Sequence, residues 1–143
     1  MKRHPQLQDL SREHHGALKL ARAARQAAEA GAADKLATIA ERVVRLFAAE
    51  LDPHFRVEEQ GLLLTLAQAG EHALVRRTLD EHAELRRLVA ALSAPDAATL
   101  LRFADLLAAH VRFEERELFE TAQGHLATDP ARTDPAPMPP VRP

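Results

Sequence analysis

The sequence predicts an all-α protein, an up-down-up-down four-helix bundle. Alanine and leucine dominate it, whereas the residues that favour strands are scarce, and tyrosine and tryptophan are absent. Four segments carry apolar residues at alternating spacings of three and four, which is the pattern of one helix face. Short breaks near Gly31, Gly70 and Pro95 separate these segments. Short connections between amphipathic helices predict antiparallel neighbours.

The first two helices are predicted from their apolar stripes. The first stripe consists of Leu7, Leu10, His14, Ala17, Ala21, Ala24 and Ala28. Gly31 is expected to end this helix. The second helix is expected to begin near Asp34 as its cap, and its stripe consists of Leu36, Ala40, Val43, Phe47, Leu51, His54, Glu58 and Leu62. Pro53 lies inside this pattern and predicts a kink, or two helices that meet end to end.

The third and fourth helices follow the same pattern. The third stripe consists of Val75, Thr78, His82, Leu85, Val89 and Leu92. Pro95 ends this pattern, and Asp96 is expected to cap the fourth helix. The fourth stripe consists of Leu100, Phe103, Leu107, His110, Glu114 and Leu118. This last helix is expected to stop near Gly124.

The length of 143 residues predicts one folded domain, which we place at residues 1–127. The remainder, residues 128–143, reads TDPARTDPAPMPPVRP and holds six of the nine prolines. Such a segment cannot be helical and has too few apolar residues to pack. It is expected to be either an extended, solvated tail or a segment that docks on a partner.

Composition excludes several classes of function. The net charge of −2 shows no basic excess and argues against nucleic acid as a partner. The chain has no cysteine, which excludes disulfides and thiolate chemistry. Nothing approaches the run of about 20 apolar residues that a membrane span needs. The first residues, MKRHPQLQDL, contain no apolar signal segment. We therefore expect a cytoplasmic protein that binds neither membrane nor nucleic acid.

Six polar residues occupy positions on the apolar stripes: His14, His54, Glu58, His82, His110 and Glu114. Burying unpaired imidazoles and carboxylates in one layer would cost several kcal/mol. Two neighbouring buried carboxylates would also repel each other. A divalent or trivalent cation reverses both penalties, because it neutralises the carboxylates and accepts the imidazole lone pairs. The stripes therefore predict a metal site in the core.

The spacing of these residues predicts two metals rather than one. Two near-copies, PHFRVEEQGLLL and AHVRFEERELF, each place a histidine four residues before a glutamate, so that both reach one centre. His14 and His82 add one nitrogen each from the other two helices. Four imidazoles and two carboxylates are too many for one tetrahedral zinc. They suit two ions bridged by the glutamates, with iron or manganese favoured by the sulfur-free donors and zinc as an alternative.

Residues beside this set are expected to have lesser roles. His15 lies about 100° round the helix from His14, and we prefer His14 as the ligand. Four glutamates lie one position from a predicted ligand and are expected to be solvated or to orient a histidine: Glu13, Glu59, Glu81 and Glu115. The remaining histidines are expected on the surface: His4, His72 and His125.

The complete pattern resembles the hemerythrin family, most closely the bacterial hemerythrin-like HHE cation-binding domains. The resemblance rests on His14, then His54-Phe55-x-x-Glu58-Glu59, then Glu81-His82, then His110-x-x-x-Glu114-Glu115, and covers Leu7 to about Ala122. It implies a four-helix bundle around a non-haem, oxo- or hydroxo-bridged di-iron centre. One iron would take His14 and His54 and the other His82 and His110, with Glu58 and Glu114 bridging. Ferritin-like di-iron bundles instead use a Glu-x-x-His spacing, which does not match.

Two departures separate this sequence from the oxygen-carrying hemerythrins. Those proteins have a second histidine on the third helix, where this chain has Thr78 or Arg86 one turn from His82. They also use an aspartate five residues after the fourth-helix histidine. Here Glu114 stands at four, with Glu115 at five as the fallback. Fewer protein ligands leave more open metal positions.

These departures favour sensing of O2, nitric oxide or redox state, or iron handling, over bulk oxygen transport. The expected ligands are metal ions, small diatomic molecules and peroxide. Two alternatives stay open. One is a di-iron enzyme of the peroxidase, oxidase or nitric oxide reductase type, although the chain has no tyrosine, tryptophan or cysteine to relay electrons. The other is a zinc-binding or purely structural bundle.

Overall fold

The computed structural model describes residues 3–128, which form four helical runs and contain no strand. The first run is α1 (Pro5–Ala30), and the third is α5 (His72–Ala91). The second consists of α2 (Ala33–Leu46), the π-helical turn π1 (Phe47–Leu51), α3 (Asp52–Val57), the π-helical turn π2 (Glu58–Leu62) and α4 (Leu63–Gln68). The fourth consists of α6 (Ala97–Phe113), the π-helical turn π3 (Glu114–Leu118) and α7 (Phe119–Thr128).

Within these residues no helix combines the length and the apolar character that a membrane span requires. The predicted proline-rich tail begins at Thr128, the last residue of α7, and its residues 129–143 lie outside the described part of the chain.

Two predicted helix ends are confirmed and one is wrong. Gly31 ends α1 in the left-handed conformation with φ of 74°, and its N–H donates to the Ala27 carbonyl at 3.1 Å. Asp96 caps α6, because its carboxylate accepts from the Thr99 N–H at 2.9 Å. The cap predicted at Asp34 is wrong: α2 begins one residue earlier, and its capping position is held by Ala32 without a side-chain bond. Asp34 lies instead in the first turn, where the helix dipole still stabilises a carboxylate.

Pro53 does not interrupt the second run. The turn π1 precedes it, and the N–H of Asp52 donates five residues back to the Phe47 carbonyl. Because proline has no N–H and clashes with the carbonyl four residues before it, a widened turn at this place relieves both problems. The predicted disturbance at Pro53 therefore takes the form of a π-helical turn within a continuous run.

Two further sequence predictions are corrected. The fourth run continues past Gly124 to Thr128, because Leu126 is buried in the core and the His125 Nε2 lies 2.9 Å from Glu71 Oε2. The stripe of the second run does not continue to Leu62, which is half-buried, but passes to the buried Leu63. The extra residue of π2 shifts the buried face by one position.

Buried apolar residues form two clusters, one towards each end of the helical bundle. The larger cluster joins the second half of α1 to parts of α2, α5 and α6. The smaller cluster consists of Leu7, Leu10, Leu63, Leu66, Phe113, Leu118, Phe119, Ala122 and Leu126. Along α1 the buried His14 lies between Leu10 of one cluster and Ala17 of the other. A layer of buried polar residues thus separates two apolar cores.

Candidate metal centre

The polar layer contains all six predicted ligands, at least one from each helical run. They are His14, His54, Glu58, His82, His110 and Glu114, and each is buried. Their ligand atoms fall into two overlapping groups in which all atoms lie within 4.8 Å of one another. Both glutamates belong to both groups, whereas the first group adds His14 with His54 and the second adds His82 with His110.

Glu58 divides its two oxygens between the groups. Its Oε2 lies 3.0 Å from the Nε2 of His54, one turn earlier in the same run. Its Oε1 lies 3.0 Å from the Nε2 of His82, which α5 contributes. A carboxylate with one oxygen toward each histidine pair has the arrangement that a bridging ligand needs.

Glu114 repeats this arrangement with the other two histidines. Its Oε1 lies 2.8 Å from His14 Nε2, and its Oε2 lies 3.0 Å from His110 Nε2. The two carboxylates therefore span the same two places, and each place also has two imidazole nitrogens.

Most of these atoms have no hydrogen-bond partner in the described part of the chain. They are His54 Nε2, His82 Nε2, His110 Nε2, both oxygens of Glu58 and Oε2 of Glu114. Several pairs lie 3.0 Å apart, but without the alignment of a hydrogen bond. Buried polar atoms without partners are rare and costly. Two ligands that meet at a right angle about 2.1 Å from one cation would lie about 3.0 Å apart. The donors and their spacing therefore fit a bound cation.

The two π-helical turns π2 and π3 begin at the two central glutamates. The N–H of Leu63 donates to the Glu58 carbonyl, and the N–H of Phe119 donates to the Glu114 carbonyl. Such turns frequently occur at functional sites. The sequence gives no direct signal of them, but they occupy equivalent positions in the two near-copies.

Each histidine of the layer has a second carboxylate on its other ring nitrogen. The Nδ1 to oxygen distances are 2.6 Å for His54 with Glu13, 2.7 Å for His14 with Glu115, 2.7 Å for His82 with Glu59 and 2.6 Å for His110 with Glu81. A carboxylate at Nδ1 keeps the proton there and turns the Nε2 lone pair towards the centre. Of the two roles expected for these supporting glutamates, the structure shows the orienting one.

Three of the supporting glutamates are held by arginines. Arg86 NH1 lies 2.9 Å from Glu59, Arg77 Nε 3.0 Å from Glu81, and Arg3 NH2 3.0 Å from Glu115. Burial alone would raise the pKa of each of these glutamates, but the facing histidine and the arginine lower it, joined at Glu115 by the Ser11 hydroxyl, which donates to that carboxylate. These arginines were not predicted from the sequence. Arg77 stands one helical turn from Glu81, which is a usable signal, whereas Arg3 has no local one.

Two phenylalanine rings lie parallel to imidazoles of the layer. Phe55 stacks on His82 with ring centres 3.9 Å apart, and Phe119 stacks on His14 with centres 5.3 Å apart. Both phenylalanines are buried. These rings limit the rotation of the two imidazoles, and sequence reasoning did not identify this role.

Burial and mutual charge shift the pKa values of the central groups in opposite directions. Burial and the neighbouring Glu114 carboxylate raise the pKa of Glu58 well above its usual value. Burial opposes ionisation of Glu114 as well, but His110 and His14 hold the pKa of Glu114 well below its usual value. Burial lowers the pKa of His54, whereas Glu114 and Glu81 outweigh burial at His110 and raise its pKa to about 9. Without a cation, the site therefore retains protons at neutral pH.

The residues considered as alternative ligands do not direct a side-chain donor to the centre of the layer. His15 is exposed, and Glu115 contacts the outer nitrogen of His14 rather than the centre. Thr78 is buried, but its hydroxyl donates to the Leu74 carbonyl at 2.8 Å, so α5 contributes one histidine to the layer. His72 is exposed, as expected. His4 is half-buried and caps α1, because its Nδ1 accepts from the Gln6 N–H.

Comparison with known proteins yields one family. The sequence model of the Hemerythrin HHE cation binding domain matches residues 6–122, a range that contains all six residues of the layer. Searches of curated proteins and of solved structures found no match.

Proposed function

The chain belongs to the family of hemerythrin HHE cation-binding domains, and from that premise we propose that it binds two iron ions in the buried layer. The proposed ligands are His14 and His54 for one ion, and His82 and His110 for the other, with Glu58 and Glu114 bridging. The same membership and the packing of α1 and α5 along α6 support an up-down-up-down order of the four runs.

One observation carries this proposal: each central carboxylate directs one oxygen to each histidine pair. A single tetrahedral zinc would need four of these donors and leave the others buried and unpaired. Two cations use every unpaired atom of the layer. Each then has two imidazoles and two carboxylate oxygens, a sulfur-free set that suits iron, with manganese or zinc as alternatives.

The proposed role is sensing of O2, nitric oxide or redox state, or iron handling, rather than bulk oxygen transport. Two bridged irons would supply one-electron redox chemistry and positions open to O2, nitric oxide or peroxide. The protein's part is to bury the site, to direct the imidazole Nε2 atoms to its centre and to fix the rings through the supporting glutamates. The sequence contains no tyrosine, tryptophan or cysteine for electron relay, which favours sensing or iron handling over the alternative of a di-iron enzyme.

Metal analysis tests this proposal. Protein from iron-replete cells, or protein reconstituted in air with Fe(II), is expected to contain about two irons per chain. It should show an oxo-to-iron absorption band. The variant His54→Ala is expected to lose both the two-iron content and this band. Less than about half an iron per chain, without that band, would contradict the iron proposal. Two zinc ions in its place would support the zinc alternative.

Metal uptake is also expected to release protons. Because the pKa of His110 is raised to about 9, this imidazole is protonated at pH 7 in the metal-free protein and must lose its proton to bind a cation. The raised pKa of Glu58 acts in the same direction. Apparent metal affinity should therefore rise with pH up to about 9 and level off above it. Calorimetry of Zn(II) binding in buffers of different ionisation heat measures the protons released, and zero release at pH 7 would contradict the expectation.

A further inference from the structure

His54 is held less firmly than the other three histidines of the layer. Its supporting glutamate, Glu13, has a side chain that is 58% exposed. The other three supporting glutamates are 17% to 29% exposed. Each of those three is also held by an arginine, whereas in residues 3–128 neither arginine nor lysine forms an ion pair with Glu13.

Among residues 3–128 no aromatic ring lies parallel to the His54 imidazole. His14 and His82 each have a stacked phenylalanine, with interplanar angles of 4° and 10°. The nearest rings to His54 meet it at 54° for His14 and at 65° for Phe55. Stacking therefore separates His54 from His14 and His82, whereas His110 also lacks a parallel ring, its neighbours meeting it at 47° to 75°. What separates His54 from all three is the exposed supporting glutamate without an arginine.

A pocket of about 460 Å³ between α1 and the second helical run reaches His54. His54 is the one residue of the six that lines this pocket, and Glu13 lies beside it. The remaining walls are mostly apolar, with the exposed Glu50 as a second carboxylate. Gly16 also lines the pocket, and a Cβ added there would meet no atom within 4 Å. The pocket is large enough to receive an imidazole.

We propose that His54 is the gate through which metal ions enter and leave the layer. Its imidazole swings into the pocket and opens the His14–His54 position to a divalent cation. Glu13 is the positioning residue that holds the gate closed. The ion at the His82–His110 position, whose histidines have arginine-held glutamates, exchanges more slowly. The charges of Glu13 and Glu50 favour passage of a cation over that of an anion.

This inference rests on the proposed two-metal function, and release of metal tests it separately. Protein loaded with two Fe(II) ions without oxygen is mixed with an excess of a chromogenic Fe(II) chelator. We expect one ion per chain to leave in a fast phase and one in a slow phase. Glu13→Gln should accelerate the fast phase about tenfold and leave the slow phase unchanged. The matched variant Glu81→Gln, which alters the support of His110, should accelerate the slow phase instead.

The pocket itself is tested by filling it. Gly16→Leu places a side chain in the open space and should slow the fast phase about tenfold, with Gly16→Ala intermediate. Gly124→Leu adds the same side chain on the exposed face of α7 and should release iron like the wild type.

The outcomes separate the two proposals. Two-phase release supports the gate if Glu13→Gln accelerates the fast phase, Gly16→Leu slows it and Glu81→Gln accelerates the slow phase. A protein that loads two ions but releases both in one phase overturns it, as does a fast phase that neither Glu13→Gln nor Gly16→Leu changes. A protein that does not load two ions overturns the proposed function.

Discussion

Replacing Glu58 with methionine is expected to stabilise the metal-free protein and to abolish loading of two metals. Glu58 is fully buried, and neither of its oxygens has a hydrogen-bond partner in the described residues. Its pKa is raised by burial and by the nearby Glu114, so its charged form destabilises the fold as pH rises. A buried polar group without a hydrogen-bond partner costs about 1 to 3 kcal/mol, so an apolar side chain of similar length should stabilise the metal-free protein by about that amount. Methionine is unbranched and adapts to irregular space.

With metal present the order of stability should reverse. Metal at about 1,000 times its dissociation constant stabilises the wild type by about 4 kcal/mol, and the variant loses this gain because it lacks a bridging carboxylate. Thermal unfolding with and without Zn(II), beside metal analysis, measures both effects. Glu41→Met, at an exposed position of α2, is the control and should leave metal content unchanged. A variant that keeps two ions, or whose metal-free form unfolds at lower temperature, would contradict the assigned role of Glu58.

Replacing Phe55 with alanine is expected to lower both stability and metal affinity. Phe55 is 1% exposed, stacks on His82 and meets Phe47 edge-on with ring centres 5.7 Å apart. Loss of a buried phenylalanine side chain costs about 3 to 5 kcal/mol, because a cavity remains. His82 loses the ring that limits its rotation, so we expect metal affinity to fall at least about tenfold.

Phe103→Ala separates packing from metal binding. Phe103 is also fully buried and belongs to the same apolar cluster, but it is not in ring contact with a histidine of the layer. Its loss should destabilise the protein by a similar amount with little change in metal affinity. Urea unfolding gives the first quantity and competition with a chelator of known affinity the second. Equal losses of affinity in the two variants would mean that Phe55 acts through general packing alone.

Residue spacing predicted the layer well, because helical periodicity places residues four apart on one face. His54 with Glu58 and His110 with Glu114 follow directly from that rule, and His14 and His82 are identified by their positions on otherwise apolar stripes. Their meeting in one layer follows from burial of the stripes. That these residues bind iron remains a prediction.

Features that depend on contacts between distant segments were not predictable in this way. The widened turn π2 changes the phase of the second stripe by one residue, so that Leu63 is buried in place of the predicted Leu62. Gly124 resembles a helix end locally, but burial of Leu126 outweighs its weak helix preference. The bond from Arg3 to Glu115 joins residues 112 positions apart, a pairing that no local pattern encodes.

The division of the apolar core into two clusters means that the polar layer controls how firmly the two ends of the bundle are joined. The smaller cluster joins the start of α1 to α4 and α7, and the larger one holds the other end of the helices. Between them lie groups that repel or lack partners when no cation is present. A bound cation would therefore link the two clusters, and we expect its loss to let the end of the bundle that carries α7 open locally. Metal occupancy would then change the local order at one end of the bundle.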